Sequence, residues 1–320
     1  MSTTSQLRAW WAQRPPAAGA AVVATGIVSV GLHLTGYETL SRIALVLTSA
    51  AWLALAADFV VRLARERERW AREAGTPAGL TAVAATTVLG TRLSALGWQE
   101  LAEALLALSA VLWPVLLYGV VRHWKHRMSG GVFLVCVTTQ GLSVLGATLA
   151  AAVGPEWLAH AALVLFWLGI VVYGVALARF DAREVVRGAG DHWVAGAALA
   201  ISALAGAELV AAHHVNPYLW NDDDNGVLRA VTVVLLVLAI AGDGVLVAAE
   251  LGWPRPRYDV RRWATVFTMG MTAVATLSVA TALGVSWLKG PGQVLLWITV
   301  AAWLAVAVGS VLVVRSRAPR

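Results

Sequence analysis

Apolar runs separated by short polar punctuation fill nearly the whole chain, and about 20 apolar residues let a helix cross a hydrocarbon core roughly 30 Å thick. The pattern predicts ten spanning helices, at 16–36, 40–63, 78–97, 100–123, 130–153, 156–179, 192–213, 227–251, 263–285 and 291–314. Prolines punctuate them. Pro15 and Pro16 precede the first helix, Pro77 opens the third, Pro155 separates the fifth from the sixth and Pro291 starts the tenth. At such places a missing N–H does least harm.

Within the ten, two kinds of helix alternate. The odd ones repeat a small, hydroxyl-bearing theme: Val23-Ala-Thr-Gly-Ile-Val-Ser, Ala84-Ala-Thr-Thr-Val-Leu-Gly, Val137-Thr-Thr-Gln-Gly-Leu-Ser, Ala197-Ala-Leu-Ala-Ile-Ser-Ala and Val266-Phe-Thr-Met-Gly-Met-Thr. The even ones, such as 43–61, 101–121 and 231–247, are rich in Leu, Val and Trp and suit a lipid-facing position. Weak internal repeats of helical hairpins are a common plan for transporters. The fold class expected is all-α integral membrane: five hairpins, with an inner ring of odd helices around a central pore and an outer ring of even helices. One membrane domain is expected over 16–314, flanked by cytoplasmic segments at 1–15 and 315–320.

Composition agrees with this and removes other classes. Of 320 residues, 59% are hydrophobic and 13% charged, against about 25% charged in a soluble domain. The single cysteine, Cys136, lies in an apolar run, so neither a disulfide framework nor a zinc cluster can be built. Arg8 and Arg14 precede a full-length span with no small-residue cleavage site, which is read as a span and not a removed leader. The net charge of +6 sits at helix ends, where it sets topology and does not point to nucleic acid. Arg8 and Arg14; Arg62, Arg65, Arg67, Arg69 and Arg72; Arg122, Lys125 and Arg127; Arg179, Arg183 and Arg187; Arg255, Arg257, Arg261 and Arg262; and Arg315, Arg317 and Arg320 all fall on one side. Only Arg42, Arg92, Arg229 and Lys289 fall on the other. Lys and Arg are retained inside, so both termini are expected to be cytoplasmic.

Candidate functional residues follow from what a membrane interior tolerates. In the ninth span, 263–281, Phe267 is one large aromatic among Gly, Ala, Thr and Ser, which reads as a pore wall with one plug. Thr25, Gly26, Thr86, Thr87, Thr138, Thr139, Gln140, Ser202, Thr268 and Gly270 are candidate pore-lining positions. Hydroxyls and amides there can replace part of a solute's water shell, or simply bond back to helix carbonyls. A charge at mid-membrane costs on the order of 3 kcal/mol on insertion scales. Arg92 and Glu208 are therefore read either as a buried pair or, for Arg92, as an attractor of anions in the outer vestibule or a snorkelling group. Asp58 and Asp243, near the inner ends of even helices, are read as interfacial or hydrogen-bonded, with proton coupling as the alternative. Asp222, Asp223 and Asp224 read as a solvated loop without calcium-loop spacing. His33, His160, His192, His213 and His214 lack metal-site spacing, and no metal or cofactor is expected. Trp10, Trp11, Trp98, Trp124, Trp157, Trp193, Trp220, Trp253 and Trp287 fall near span ends, as interface anchors do.

Four stretches carry a family resemblance: Val23-Ala-Thr-Gly-Ile-Val-Ser, Thr87-Val-Leu-Gly-Thr-Arg, Thr138-Thr-Gln and Arg262-Trp-Ala-Thr-Val-Phe-Thr-Met-Gly-Met. With the ten-span layout they resemble the tellurite-resistance/C4-dicarboxylate transporter family, which includes malate permeases, sulfite exporters and plant slow-type anion channels. The resemblance implies a pore through each protomer, usually in a homotrimer, occluded by a Phe of the ninth helix that corresponds to Phe267. The family motif has Pro after that Phe and Tyr after Gly-Met, where this chain has Thr268 and Thr272. The function expected is passage of small anions, inorganic or C4-dicarboxylate or an oxyanion such as tellurite, in a cell membrane. The alternatives are a proton-coupled carrier, a membrane-embedded transferase, and a receptor or assembly subunit. No Ser-His-Asp set, His-Glu-x-x-His or phosphate loop presents itself for an enzyme.

Overall fold

In lipid a backbone must satisfy its own hydrogen bonds, and runs of this length do so as helices. The computed structural model describes residues 19–188, 190–254 and 259–317; Arg8, Trp10, Trp11, Arg14, Pro15, Pro16, Arg255, Arg257 and Arg320 lie outside them. Ten long helices form: α1 Gly19–Leu34, α2 Glu38–Arg65, α3 Thr81–Ser94, α4 Gln99–Arg122, α5 Leu134–Val153, α6 Glu156–Arg179, α7 Val194–Val215, α8 Asp222–Gly252, α9 Arg262–Ala282 and α10 Lys289–Arg317. Short helices at Arg67–Ala74 and Glu184–Arg187 lie in two connections. No strand occurs among the described residues.

Eight of the ten have the length and apolarity to cross a membrane. The other two, α1 with 16 residues and α3 with 14, rise only about 24 and about 21 Å. A 3-10 turn at Pro77–Leu80 leads into α3 and extends it to about 29 Å. Similar turns, Gly130–Phe133 and Asp191–Trp193, lead into α5 and α7.

The two kinds of helix take two places. With their leading turns, 94% of the most apolar stretch of α5, 78% of α7 and 83% of α9 are buried within the protein, against 11–28% for α2, α4, α6, α8 and α10. Contacts close the odd helices into a ring, α1 to α3, α3 to α5, α5 to α7, α7 to α9 and α9 back to α1. Each even helix packs against its own hairpin partner and against the next odd helix. The inner seams depend on missing side chains. A Cβ on Gly26 would meet Val88 Cγ1 at 2.8 Å, on Gly90 would meet Leu145 Cδ2 at 2.7 Å, on Gly141 would meet Thr87 Oγ1 at 2.6 Å and on Gly270 would meet Ile27 Cγ2 at 2.8 Å. Lipid gives helices no hydrophobic reason to associate, so this closeness is where their packing attraction comes from.

Four of five hairpins turn through a left-handed glycine: Gly36, Gly97, Gly154 and Gly284, with φ between 72° and 90°. In three of them the following N–H reaches back five residues to close the helix end, Tyr37 to Leu32, Trp98 to Leu93 and Val285 to Ala280. The fifth hairpin is different. Asp222, Asp223 and Asp224, expected in a loop, form the first turn of α8. Asn221 caps that turn by accepting from the Asp224 N–H at 2.8 Å, and three carboxylates suit the positive end of a helix dipole.

A second repeated device joins the rings. Near the middle of three outer helices a tryptophan donates its indole N–H to a threonine of the next inner helix: Trp52 to Thr86 at 2.9 Å, Trp113 to Thr139 at 3.1 Å and Trp303 to Thr25 at 3.0 Å. Each threonine hydroxyl donates in turn to a carbonyl of its own helix, on Ala82, Val135 and Ala21. These mid-span tryptophans are a different population from the span-end anchors. Beside one of them sits Pro114, the proline inside α4, so the helix interior that lacks a backbone donor belongs to the outer ring. Trp52→Phe, Trp113→Phe and Trp303→Phe should each lower stability by about 0.6–1.7 kcal/mol. The three sites are far apart, so the triple change should equal the sum, as read by thermal unfolding in detergent.

Candidate permeation pathway

All five inner helices contribute to a small cavity on the ring axis. Its lining is Ile27 and Val30 from α1, Thr87, Val88 and Thr91 from α3, Gly141 and Val144 from α5, Ile201 and Leu204 from α7, and Met271 from α9. At ≈ 20 Å³ it has room for about one water. Apart from Thr87 and Thr91 the wall is apolar, so the axis is narrow and mostly apolar at this level.

Helical periodicity carries the axial face in both directions, since residues four or seven apart share a face. One turn toward the N-terminal end of α9, about 6 Å from Met271, stands Phe267, buried at 3% exposure. In the other direction the axial faces become polar. Val144 is followed by Thr148, Leu204 by Glu208, and Met271 by Ser278, with Thr91 at the cavity rim. Thr148 Oγ1 lies 3.4 Å from Glu208 Oε2, and Ser278 of α9 stands near the same carboxylate. From the basic side outward, the axis thus reads aromatic, aliphatic and then hydroxyl and carboxyl.

Most of the sequence-derived pore-lining candidates take other places, and these are corrections. Thr87 lines the cavity. Thr25, Thr86 and Thr139 face the outer helices as acceptors of the three indole bonds. Gly26 and Gly270 make room at helix seams. Gln140 is fully buried and donates through Nε2 to the Phe166 carbonyl of α6 at 3.0 Å. Thr268 donates to the carbonyls of Trp193 and Ala264, tying α9 to the turn before α7. Ser202 bonds the Ala198 carbonyl and Thr138 the Leu134 carbonyl, each on its own helix. For the threonines and the serine among them, a hydroxyl on a buried seam is satisfied by the nearest carbonyl or indole.

The foreseen Arg92–Glu208 pair is not formed. Arg92 donates through Nη2 to Glu38 Oε1 at 2.9 Å and through Nε to Ser41 Oγ at 3.0 Å. It is 1% exposed, so it is neither snorkelling nor an open vestibule charge. Ser41 and Ser29 exchange hydroxyl-to-carbonyl bonds at 2.7 and 2.8 Å, and His33 and Arg42 also reach the Glu38 carboxylate. This cluster clamps α1, α2 and α3 together. Glu38 opens α2, where a carboxylate looks like an ordinary first-turn acid, and nothing in the local pattern distinguishes it.

Away from the axis, Asp243 Oδ1 lies at the back of α7, where a Cβ on Gly196 would come within 2.5 Å of it. Asp58 pairs with Arg62 at 2.9 Å beside a larger cavity of ≈ 280 Å³ among α2, α3, α4 and the Arg67–Ala74 helix. That cavity is outside the ring. No three His, Cys, Asp or Glu gather as a metal site among the described residues. His213 stacks on Trp220 with centroids 5.4 Å apart.

Compared with known proteins, residues 13–311 match the model of a family described as voltage-dependent anion channel. A search of curated proteins gives no significant match.

The Glu38 cluster has a measurable signature. Arg92→Met leaves Glu38 without its buried partner and should lower the unfolding temperature well beyond the effect of Arg42→Met, whose side chain is two-thirds exposed. Adding Glu38→Gln to Arg92→Met should recover none of the loss, because Glu38 keeps His33 and Arg42 as partners, and adding Glu208→Gln should recover none either.

Proposed function

The chain belongs to the voltage-dependent anion channel family, and from that premise we propose that it passes small anions along the axis of its own five-helix ring, with Phe267 as the plug. It is an all-α membrane protein of a family that moves anions across membranes. The observation that carries the proposal is the closed inner ring, whose axis holds an aliphatic cavity with Phe267 one turn away on the same face of α9. Small residues and weak dipoles hold an anion loosely enough to release it, which favours throughput. A benzyl group across so narrow an axis blocks ions and excludes water together. Thr272 stands at the place of the family's Tyr, one residue from Met271, and is wholly buried.

Orientation follows from charge. Arg62, Arg65, Arg67, Arg72, Arg122, Lys125, Arg127, Arg179, Arg183, Arg261 and Arg262 gather at the end where the odd helices begin. That end is proposed to be cytoplasmic, which puts Phe267 toward the cytoplasm and Glu208 toward the outside. The exposed Val and Leu side chains of the even helices, among them Val46, Val60, Val111, Val164, Val237 and Val308, are proposed to meet lipid or neighbouring protomers.

Phe267→Ala should raise chloride or nitrate flux in proteoliposomes at least about tenfold with near-constant thermal stability, and Phe267→Leu should fall between it and wild type. Were Phe267 only a packing residue, truncation would cost about 3–5 kcal/mol and add no flux. For topology, a reporter fused after Arg320 and a tag inserted between Pro217 and Asn221 should report opposite sides of the membrane. Finding both on one side would reject three spans, α8, α9 and α10, between the two points and with them the ten-span layout.

A further inference from the structure

Glu208 is the one acidic residue within α7, and its position in the ring is unusual. Nearly every neighbour on that helix is buried, yet Glu208 is half-buried. Its access comes from inside the ring: at about 100° per residue it lies on the opposite side of the helix from Leu199, whose Cδ1 lies 4.0 Å from where a Cβ on Gly242 of the outer helix α8 would stand. It shares a face with Ile201 and Leu204 of the axial cavity. Thr91 and Thr148 are likewise half-buried on their axial faces. Together they form a collar just beyond the cavity.

No cation faces this carboxylate among the described residues. From α5 it meets Thr148, and the titratable residue of that helix, Cys136, lies three turns away. From α9 it meets Ser278, with Arg262 at the far end of the helix. On α6, Glu156 accepts from Asn216 and His160 packs at Trp220. On α8, Arg229 donates to the Leu283 carbonyl, Asp243 lies toward the other end beside Gly196, and Asp222, Asp223 and Asp224 are exposed at the first turn. On α7 itself, His213 stacks on Trp220 and His214 is exposed. Two hydroxyls are thus the carboxyl's partners.

An ionised carboxylate on the axis of an anion path opposes the ion that the path is built to carry. A neutral carboxyl does the reverse, because its O–H donates. We propose that Glu208 is a proton-operated selectivity element of the pathway: neutral, its carboxyl O–H donates to a passing anion, and ionised, it turns the anion away. The proton comes from the aqueous phase on the collar's side and stays on the carboxyl, so no other group changes state. This inference rests on the reading of the axis as an anion path.

The test is chloride or nitrate flux through the full chain in liposomes, with pH stepped from about 8 to about 5 on the collar's side. Wild type should gain at least tenfold on acidification. Glu208→Gln should be fast at every pH, and Glu208→Asp should keep a pH dependence. If Glu208→Gln fails to fold, Thr148→Val with Ser278→Ala, which removes the carboxyl's partners, should displace the midpoint of the wild-type pH profile. Flux that is flat with pH in wild type, a Glu208→Gln profile that follows wild type, or an unmoved midpoint in the double variant overturns the inference and leaves the anion path standing. No anion passage at any pH, in wild type and Phe267→Ala alike, overturns both.

Discussion

How closely five helices can approach one another decides nearly everything else about this protein. A ring of ordinary aliphatic helices would hold its members about 8–10 Å apart with large side chains crowding the centre. Gly26, Gly90, Gly141 and Gly270 remove the Cβ atoms that would keep α1, α3, α5 and α9 from their neighbours. The axis left at the centre is then narrow enough for one residue per helix to line it. That is why a single aromatic, or a single carboxyl, can dominate a level of the pathway. The outer ring follows from the inner one: once the odd helices are closed on each other, each even helix has one groove to occupy.

The ring division was legible because it rests on composition. Small, hydroxyl-rich segments alternate with Leu-, Val- and Trp-rich ones at hairpin spacing, and burial divides the same way. Site residues were much less legible. Composition says that a threonine belongs to an inner helix but is silent about which of its sides faces the axis, and Thr86 and Thr87, adjacent in sequence, point to different neighbours. Periodicity holds more of the site than composition does. The seven-residue steps from Gly141 to Thr148, from Ile201 to Glu208 and from Met271 to Ser278 place those residues on common faces at similar depth, and would have found the collar. Glu38 had no such signal, because its partner is more than fifty positions away in sequence.

Polar side chains in this membrane protein divide by whether their hydrogen bonds are already spent. The seam hydroxyls of Thr25, Thr86 and Thr139 each accept from an indole and donate to a carbonyl. They fix the spacing between rings. Arg92, Glu38, Ser41 and Ser29 do similar work at one end, where three helices meet. Glu208, Thr91 and Thr148 stand apart from these seams, half-buried on the axial side. Function is thereby confined to a few positions while polar residues elsewhere hold the scaffold rigid.

The tight turns have a consequence for traffic. On the collar's side the connections at 35–37, 95–98 and 154–155 are so short that a three-residue link, fully stretched, reaches at most about 10 Å. That is about one interhelical distance, and it is consumed in stepping from an inner helix to its outer partner. In these three no length remains to fold across the mouth, while the six-residue connection at 216–221 packs its Leu219 in a cluster with Leu145 and Leu149 of α5. Past these three turns a solute arriving from that side meets no loop long enough to act as a lid, so its approach there is governed by mouth radius and surface potential.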